Sequence, residues 1–160
     1  TSRKVGDQYY AMVSPVMIDA KNPLYSVNGV FNAIFIHGNV LGDAMFYGSG
    51  AGKLPTASAV VADVVDCAKN KGRNIMMSWS EEKLNLLQID DVKSRFFVRV
   101  SGHAAERQSE IEELFGKVEI VAVPSLSEEF AFITGEITEQ EYREKAEKLD
   151  GIQSRIRARI

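Results

Sequence analysis

From Arg95 to Ile160 the sequence changes its hydrophobic period again and again, and few folds accept that order. "RFFVRVSG" alternates as a strand does. "AERQSEIEELFG" has the spacing of a short amphipathic helix resting on Ile111, Leu114 and Phe115, and Gly116 ends it. "KVEIVAVPSL" and "EFAFITGEIT" read as two more strands. Thr138 is followed three residues later by Glu141, a capping box that opens the helix "EQEYREKAEKLDG". Glu141 and Lys145 in this helix are spaced for an i,i+4 pair. "SRIRARI" alternates strictly and ends the chain as a strand. The order is β-α-β-β-α-β, the ferredoxin-like arrangement, in which helices cover one sheet face and leave the other for a partner sheet.

The first 73 residues have no such closed order. "YYAMVSPVMI" (9–18) is aromatic and β-branched, so it is expected to be extended, with Pro15 confining it to an edge or a break. Val30 to His37 and Asp43 to Tyr47 read as two strands joined by a turn at Gly38-Asn39. Ala33 and Phe35 alternate with Ile34 and Ile36, so the first of these strands is apolar on both faces and expected to be covered on both. Pro55 suits the first position of a helix. Ala57, Val60, Val61, Val64, Val65 and Ala68 then mark one helical face up to a C-cap near Gly72. Residues 74–94 mix apolar and acidic side chains without a period and are read as a connector. The stretch 1–73 lacks a second layer for its apolar surface. The chain starts without methionine, which suggests a piece of a longer parent or a trimmed start.

A net charge of −3 with mixed signs argues against a nucleic-acid partner. No apolar run is long enough to cross a bilayer as a helix, so no membrane partner is expected. The single cysteine, Cys67, fits a reducing compartment, and the cytoplasm is the expected location.

Between the second strand and the helix lies "GSGAGKLPTA" (48–57), with glycine at 48, 50 and 52. Glycines let a ligand approach the backbone, and a helix N-terminus attracts anions. The spacing is neither that of a P-loop nor that of the dinucleotide fingerprint: Leu54 follows Lys53 where Ser or Thr would be needed. On the residues alone the loop is either a ligand contact or a bare entry turn. His37 and His103 stand singly, and no metal site is expected. Cys67 has no histidine near it in sequence to activate it. Asp63 and Asp66, three apart, read as a solvated helix edge.

"FYGSGAGKLPTASAVVADVVD" (46–66) closely resembles homoserine dehydrogenase, whose hallmark is a tyrosine, Gly-Pro-Gly-Ala-Gly, two variable residues and Pro-Thr-Ala-Ser-Ala-Val. "SPVMIDAKNPLYSVNGVFNAIFIHG" upstream is similar to the same family, so the resemblance covers about residues 11–70. Residues 95–160 resemble an ACT regulatory domain in element order. Two departures stand out. Ser49 replaces the usual proline, and "SGHAAERQ" replaces the usual Asp-x-x-Gly turn of an ACT domain.

The resemblance implies an α+β chain. Its parts would be a partial catalytic-domain sheet with one returning helix (1–73), a connector (74–94) and a βαββαβ ACT-like domain (95–160). It implies NAD(P) as the parent's cofactor, with Gly52 as first contact and Gly50 and Ala51 beside it. The family's catalytic lysines and Rossmann domain belong upstream of the matched region, so no catalytic residue is assigned here, the fragment alone is expected to be inactive, and it is expected to bind no cofactor by itself. A homo-oligomer is expected, a dimer through the ACT-like sheet and the catalytic-domain strands, together with an amino-acid effector. The alternative is a stand-alone ACT-type module that binds an amino acid or serves dimerisation.

Overall fold

The structure, a computed structural model, describes residues 1–73 and 76–160. By Cα proximity the chain forms two compact units, Thr1–Asp19 with Lys83–Ile160, and Ala20–Glu82. These units do not coincide with the segments 1–73, 74–94 and 95–160, because the first nineteen residues fold with the C-terminal half. The connector expected over 74–94 begins on two residues, 74 and 75, outside the described ones.

The chain opens with a hairpin, β1 (Ser2–Val5) and β2 (Gln8–Ala11), turned at Gly6 with φ +58°. The extended stretch expected over 9–18 breaks around Pro15, and β3 (Val16–Ile18) follows it. β3 lies parallel to the last strand of the chain, as the outermost strand of the main sheet. Pro15 therefore precedes an edge strand, where a missing N–H does little harm.

The second unit holds β4 (Phe31–Gly38), β5 (Gly42–Ser49) and the helix α1 (Lys53–Lys69). β4 and β5 pair antiparallel from Phe31↔Ser49 to Gly38↔Gly42 around a three-residue loop, and Gly42 takes φ +75° to close it. The expectation that β4 is covered on both faces is corrected. Ala33 and Phe35 are half-buried, whereas Ile34 and Ile36 are exposed. No described residue of this unit forms a second layer over them. The valines of α1 are exposed in the same way.

In the first unit, β6 (Lys93–Ser101), α2 (Ala104–Phe115), β7 (Glu119–Val121), β8 (Glu129–Ile133), β9 (Ile137–Thr138), α3 (Glu139–Ala146) and β10 (Ile152–Arg159) complete the fold. The sheet order β3-β10-β6-β8-β7 puts β6 at the centre. Alternation on β6 turns Phe96, Val98 and Val100 to the core, where they meet Phe130 and Phe132 of β8, Ile111 and Phe115 of α2, Tyr142 of α3, and Leu149. Burial of each such side chain contributes about 1.5–3 kcal/mol. The stretch "EFAFITGEIT" is two strands rather than one. Thr134 ends β8, its hydroxyl accepting the Phe96 N–H at 2.9 Å and donating to the Gly135 carbonyl at 2.8 Å. β9 then pairs with the start of β6.

Candidate functional site

The glycine loop lies at the exit of the β4–β5 hairpin. Tyr47 stacks on Phe31 with ring centroids 4.9 Å apart and planes 15° apart, which fixes the end of β5 against β4. Ser49 pairs with Phe31 as the last residue of the ladder. Gly50, Ala51 and Gly52 then turn the chain into α1.

Two of these glycines differ in what a side chain would meet. Gly52 is the N-cap of α1 at φ 113°, ψ 161°, a region that is essentially glycine-only. Gly50 has no positive φ, but a Cβ there would lie 2.5 Å from Asn32 Nδ2. Gly48 meets neither condition: a Cβ there would meet no atom within 4 Å.

α1 begins at Lys53, two residues earlier than Pro55 suggests, so Pro55 sits at the third position. Its missing N–H falls among the first-turn donors that have no intrahelical partner. Thr56 N–H donates to Gly52 O at 3.2 Å, closing the first turn. No side chain caps the helix. The first-turn amides and the positive end of the helix dipole are thus left without a side-chain acceptor. Lys53 is exposed at the first helical position. At the other end Asn70, rather than Gly72, is the C-cap, its N–H donating to Asp66 O.

The other candidates stay apart from the loop. His37 Nδ1 lies 2.5 Å from Asp43 Oδ1 at the far end of the hairpin, an exposed cross-strand pair. Cys67, Asp63 and Asp66 are exposed on α1, and Asn70 Nδ2 donates to Asp66. His103 is the N-cap of α2. Among the described residues no three His, Cys, Asp or Glu side chains gather as a metal site. No helix among them is long and apolar enough to cross a membrane. Beside the N-terminus of α2 a shallow hollow opens between Gly102, His103, Val123, Leu126 and Glu129, and Arg99 Nη2 holds Glu129 at 2.8 and 2.6 Å.

The sequence model of the family described as homoserine dehydrogenase matches residues 1–65, through the hairpin, the loop and most of α1. Over these residues the chain is similar to homoserine dehydrogenases. The homoserine dehydrogenase of Lactococcus lactis is 42% identical over 94 residues, 57% of this chain and 22% of that enzyme. That of Corynebacterium glutamicum is 54% identical over 61 residues, 38% of this chain and 14% of that enzyme. The chain thus spans less than a quarter of the length of these two relatives. In fold it matches the crystal structure of a homoserine dehydrogenase from Thiobacillus denitrificans with a TM-score of 0.76 at 24% identity, over 99% of this chain and 41% of that one. A Staphylococcus aureus homoserine dehydrogenase gives 0.67 at 25% identity, over 99% and 39%. The mixed α+β architecture of this chain is therefore that of a region of homoserine dehydrogenases.

Sequence reasoning overlooked Asn32. The signal available was its place on β4 opposite Gly48, two residues before Gly50.

Proposed function

We propose that this chain is the C-terminal portion of a homoserine dehydrogenase: the end of the catalytic domain, with its loop and returning helix, followed by an ACT-like domain. The complete enzyme would interconvert L-homoserine and L-aspartate 4-semialdehyde with NAD(P), in threonine and methionine biosynthesis in the cytoplasm. The observation that carries this reading is the glycine-only backbone of Gly52 at an uncapped helix N-terminus, inside the segment that matches the family.

The loop fits such a cofactor. Between Ser49 and Lys53 the one side chain is the methyl of Ala51, so a planar group can reach the backbone. Gly52, Gly50 and Ala51 would line that approach, and the first-turn amides of α1 offer donors to an electronegative atom. The cofactor supplies the hydride. In the complete enzyme the loop would help to bind and orient the cofactor, and this chain carries no group that we assign to proton transfer.

Activity measures this directly. The chain alone should not turn over aspartate semialdehyde with NADPH, and measurable turnover would overturn the reading. Joined behind the upstream part of the Lactococcus lactis enzyme, it should support NADPH oxidation. A folded chimera that is silent would count against it.

The hollow beside α2 favours a second reading of residues 95–160, as an amino-acid-binding module. Calorimetry with threonine and methionine separates the two, because micromolar binding to this chain means a working sensor. A homo-oligomer, formed through the ACT-like sheet and the β4–β5 strands, suits either reading.

A further inference from the structure

We propose that Asn32 is the positioning residue of the glycine loop. This rests on the reading of that loop as the cofactor-facing element. Asn32 stands on β4 opposite Gly48, so its side chain reaches diagonally toward the residue two places further along the partner strand. There it occupies the space where a side chain on residue 50 would begin. A Cβ built on Gly50 would lie 2.5 Å from Asn32 Nδ2, 3.2 Å from Cγ and 3.6 Å from Cβ. Real carbon atoms do not approach that closely, so a side chain at position 50 would push the Asn32 carboxamide out of its present place.

Gly50 therefore differs from Gly52 in kind. Gly52 is glycine because its backbone demands it, whereas at Gly50 the space for a side chain is taken by the Asn32 carboxamide. The carboxamide also donates from Nδ2 to the carbonyl of Val30, just before its own strand, at 3.4 Å. Through this contact the rigid hairpin limits how far Gly50 can sink toward β4, and so sets where the backbone of Ala51 and Gly52 stands. A loop positioned in this way meets its ligand with less ordering to do.

Nuclear magnetic resonance on this chain tests the idea without any cofactor, so its failure is separate from failure of the functional reading. The expected result is an NOE between the Asn32 side-chain amide and the Gly50 α-protons. Asn32→Ala should lower the heteronuclear NOEs of Gly50, Ala51 and Gly52, while Asn32→Asp, which keeps the bulk but cannot donate to the Val30 carbonyl, should lower them less. In both, the cross-strand contact of Ala33 with Tyr47 should persist, showing an intact hairpin. Gly50→Ala should displace the Asn32 side-chain amide signals, and this variant decides between the outcomes if Asn32→Ala does not fold. Unchanged loop order in Asn32→Ala, equal loss in Asn32→Asp, or unmoved Asn32 signals in Gly50→Ala would each overturn the proposal.

Discussion

Arg157 Nε donates to Glu139 Oε1 at 2.5 Å, joining the start of α3 to the last strand of the chain. Glu139 is only 2% exposed, and Arg155 Nη1 donates to its other oxygen at 2.9 Å. Arg155 in turn lies over the rings of Tyr142 and Phe96, at 4.6 and 5.2 Å. One carboxylate thus answers two guanidiniums against aromatic surface. Glu139→Ala would leave both cations without this carboxylate. Removing one member of a buried ion pair costs about 3–5 kcal/mol, and the lower end is expected because Arg155 keeps some solvent. Urea unfolding of the C-terminal unit measures it. A loss below about 1 kcal/mol would mean that the guanidiniums are adequately hydrated without Glu139.

Acid should weaken the same unit. The Arg143 guanidinium, hydrogen-bonded to Asp90 at 2.7 Å, holds that carboxyl below its ordinary value. The Thr138 backbone N–H, and then its hydroxyl, do the same for Glu141. In the unfolded chain these groups titrate near pH 4, at about 3.9 for Asp and 4.3 for Glu. Protons therefore bind the unfolded state first, and the stability these groups contribute is full above their unfolded values and lost as pH falls through the lower folded ones. Urea midpoints should fall between pH 5 and pH 3, and Asp90→Asn should flatten that fall. An unchanged slope in this variant would remove Asp90 from the account.

The capping box anchors a further expectation. Glu141 N–H donates to Thr138 Oγ1 at 3.1 Å, and Thr138 N–H donates to Glu141 Oε2 at 2.8 Å. Thr138→Ala should cost about 1 kcal/mol, read as a lowered unfolding midpoint at neutral pH. Thr138→Ser should restore most of it, and equal losses in the two variants would point to the threonine methyl instead.

What could be read from the sequence, and what could not, divides by range of interaction. The capping box, the helix on Ile111 and Phe115 and the strict alternation of the last strand are local patterns, and each formed where its residues indicated. The extended stretch over 9–18 was legible, but the partner of β3 was not, because Val16–Ile18 pairs with Arg157–Arg159, far along the chain. β1 was hidden by Arg3 and Lys4, whose charges mask an exposed ribbon. Glu141 and Lys145 were spaced to pair, yet Glu141 turns back to Thr138 and Lys145 Nζ donates to the Leu114 carbonyl at 2.5 Å. Uncapped helix ends draw such groups more strongly than an exposed neighbour does. At the glycine loop the spacing left two readings open, and the contact of Asn32 with Gly50 depends on strand register that the sequence does not print.

Gly52 and Gly48 should answer the same substitution differently. An alanine at 52 must adopt φ near 113°, a cost of about 1–3 kcal/mol unless the loop rearranges. An alanine at 48 meets open space and ordinary backbone. Gly52→Ala should therefore shift the amide signals of residues 53–57, where α1 begins, and Gly48→Ala should not. Equal perturbation by both would show that the loop is not held in the conformation described.

The isolated chain should self-associate. Val61 and Val64 of α1 are 60% and 62% exposed, and Ile34 and Phe46 of the hairpin are each 65% exposed. Single exposed apolar residues are ordinary, but here they share one helix face and one paired strand register, Ile34↔Phe46. The solved relatives that match the fold carry more than half their length beyond it, which leaves these faces to a second copy when the chain is alone. Sedimentation velocity over a concentration series should show the coefficient rising with loading. Val61→Glu with Val64→Glu should suppress the rise, because two carboxylates would have to be desolvated at the contact. A monomer at every concentration would mean that the chain masks these faces by itself.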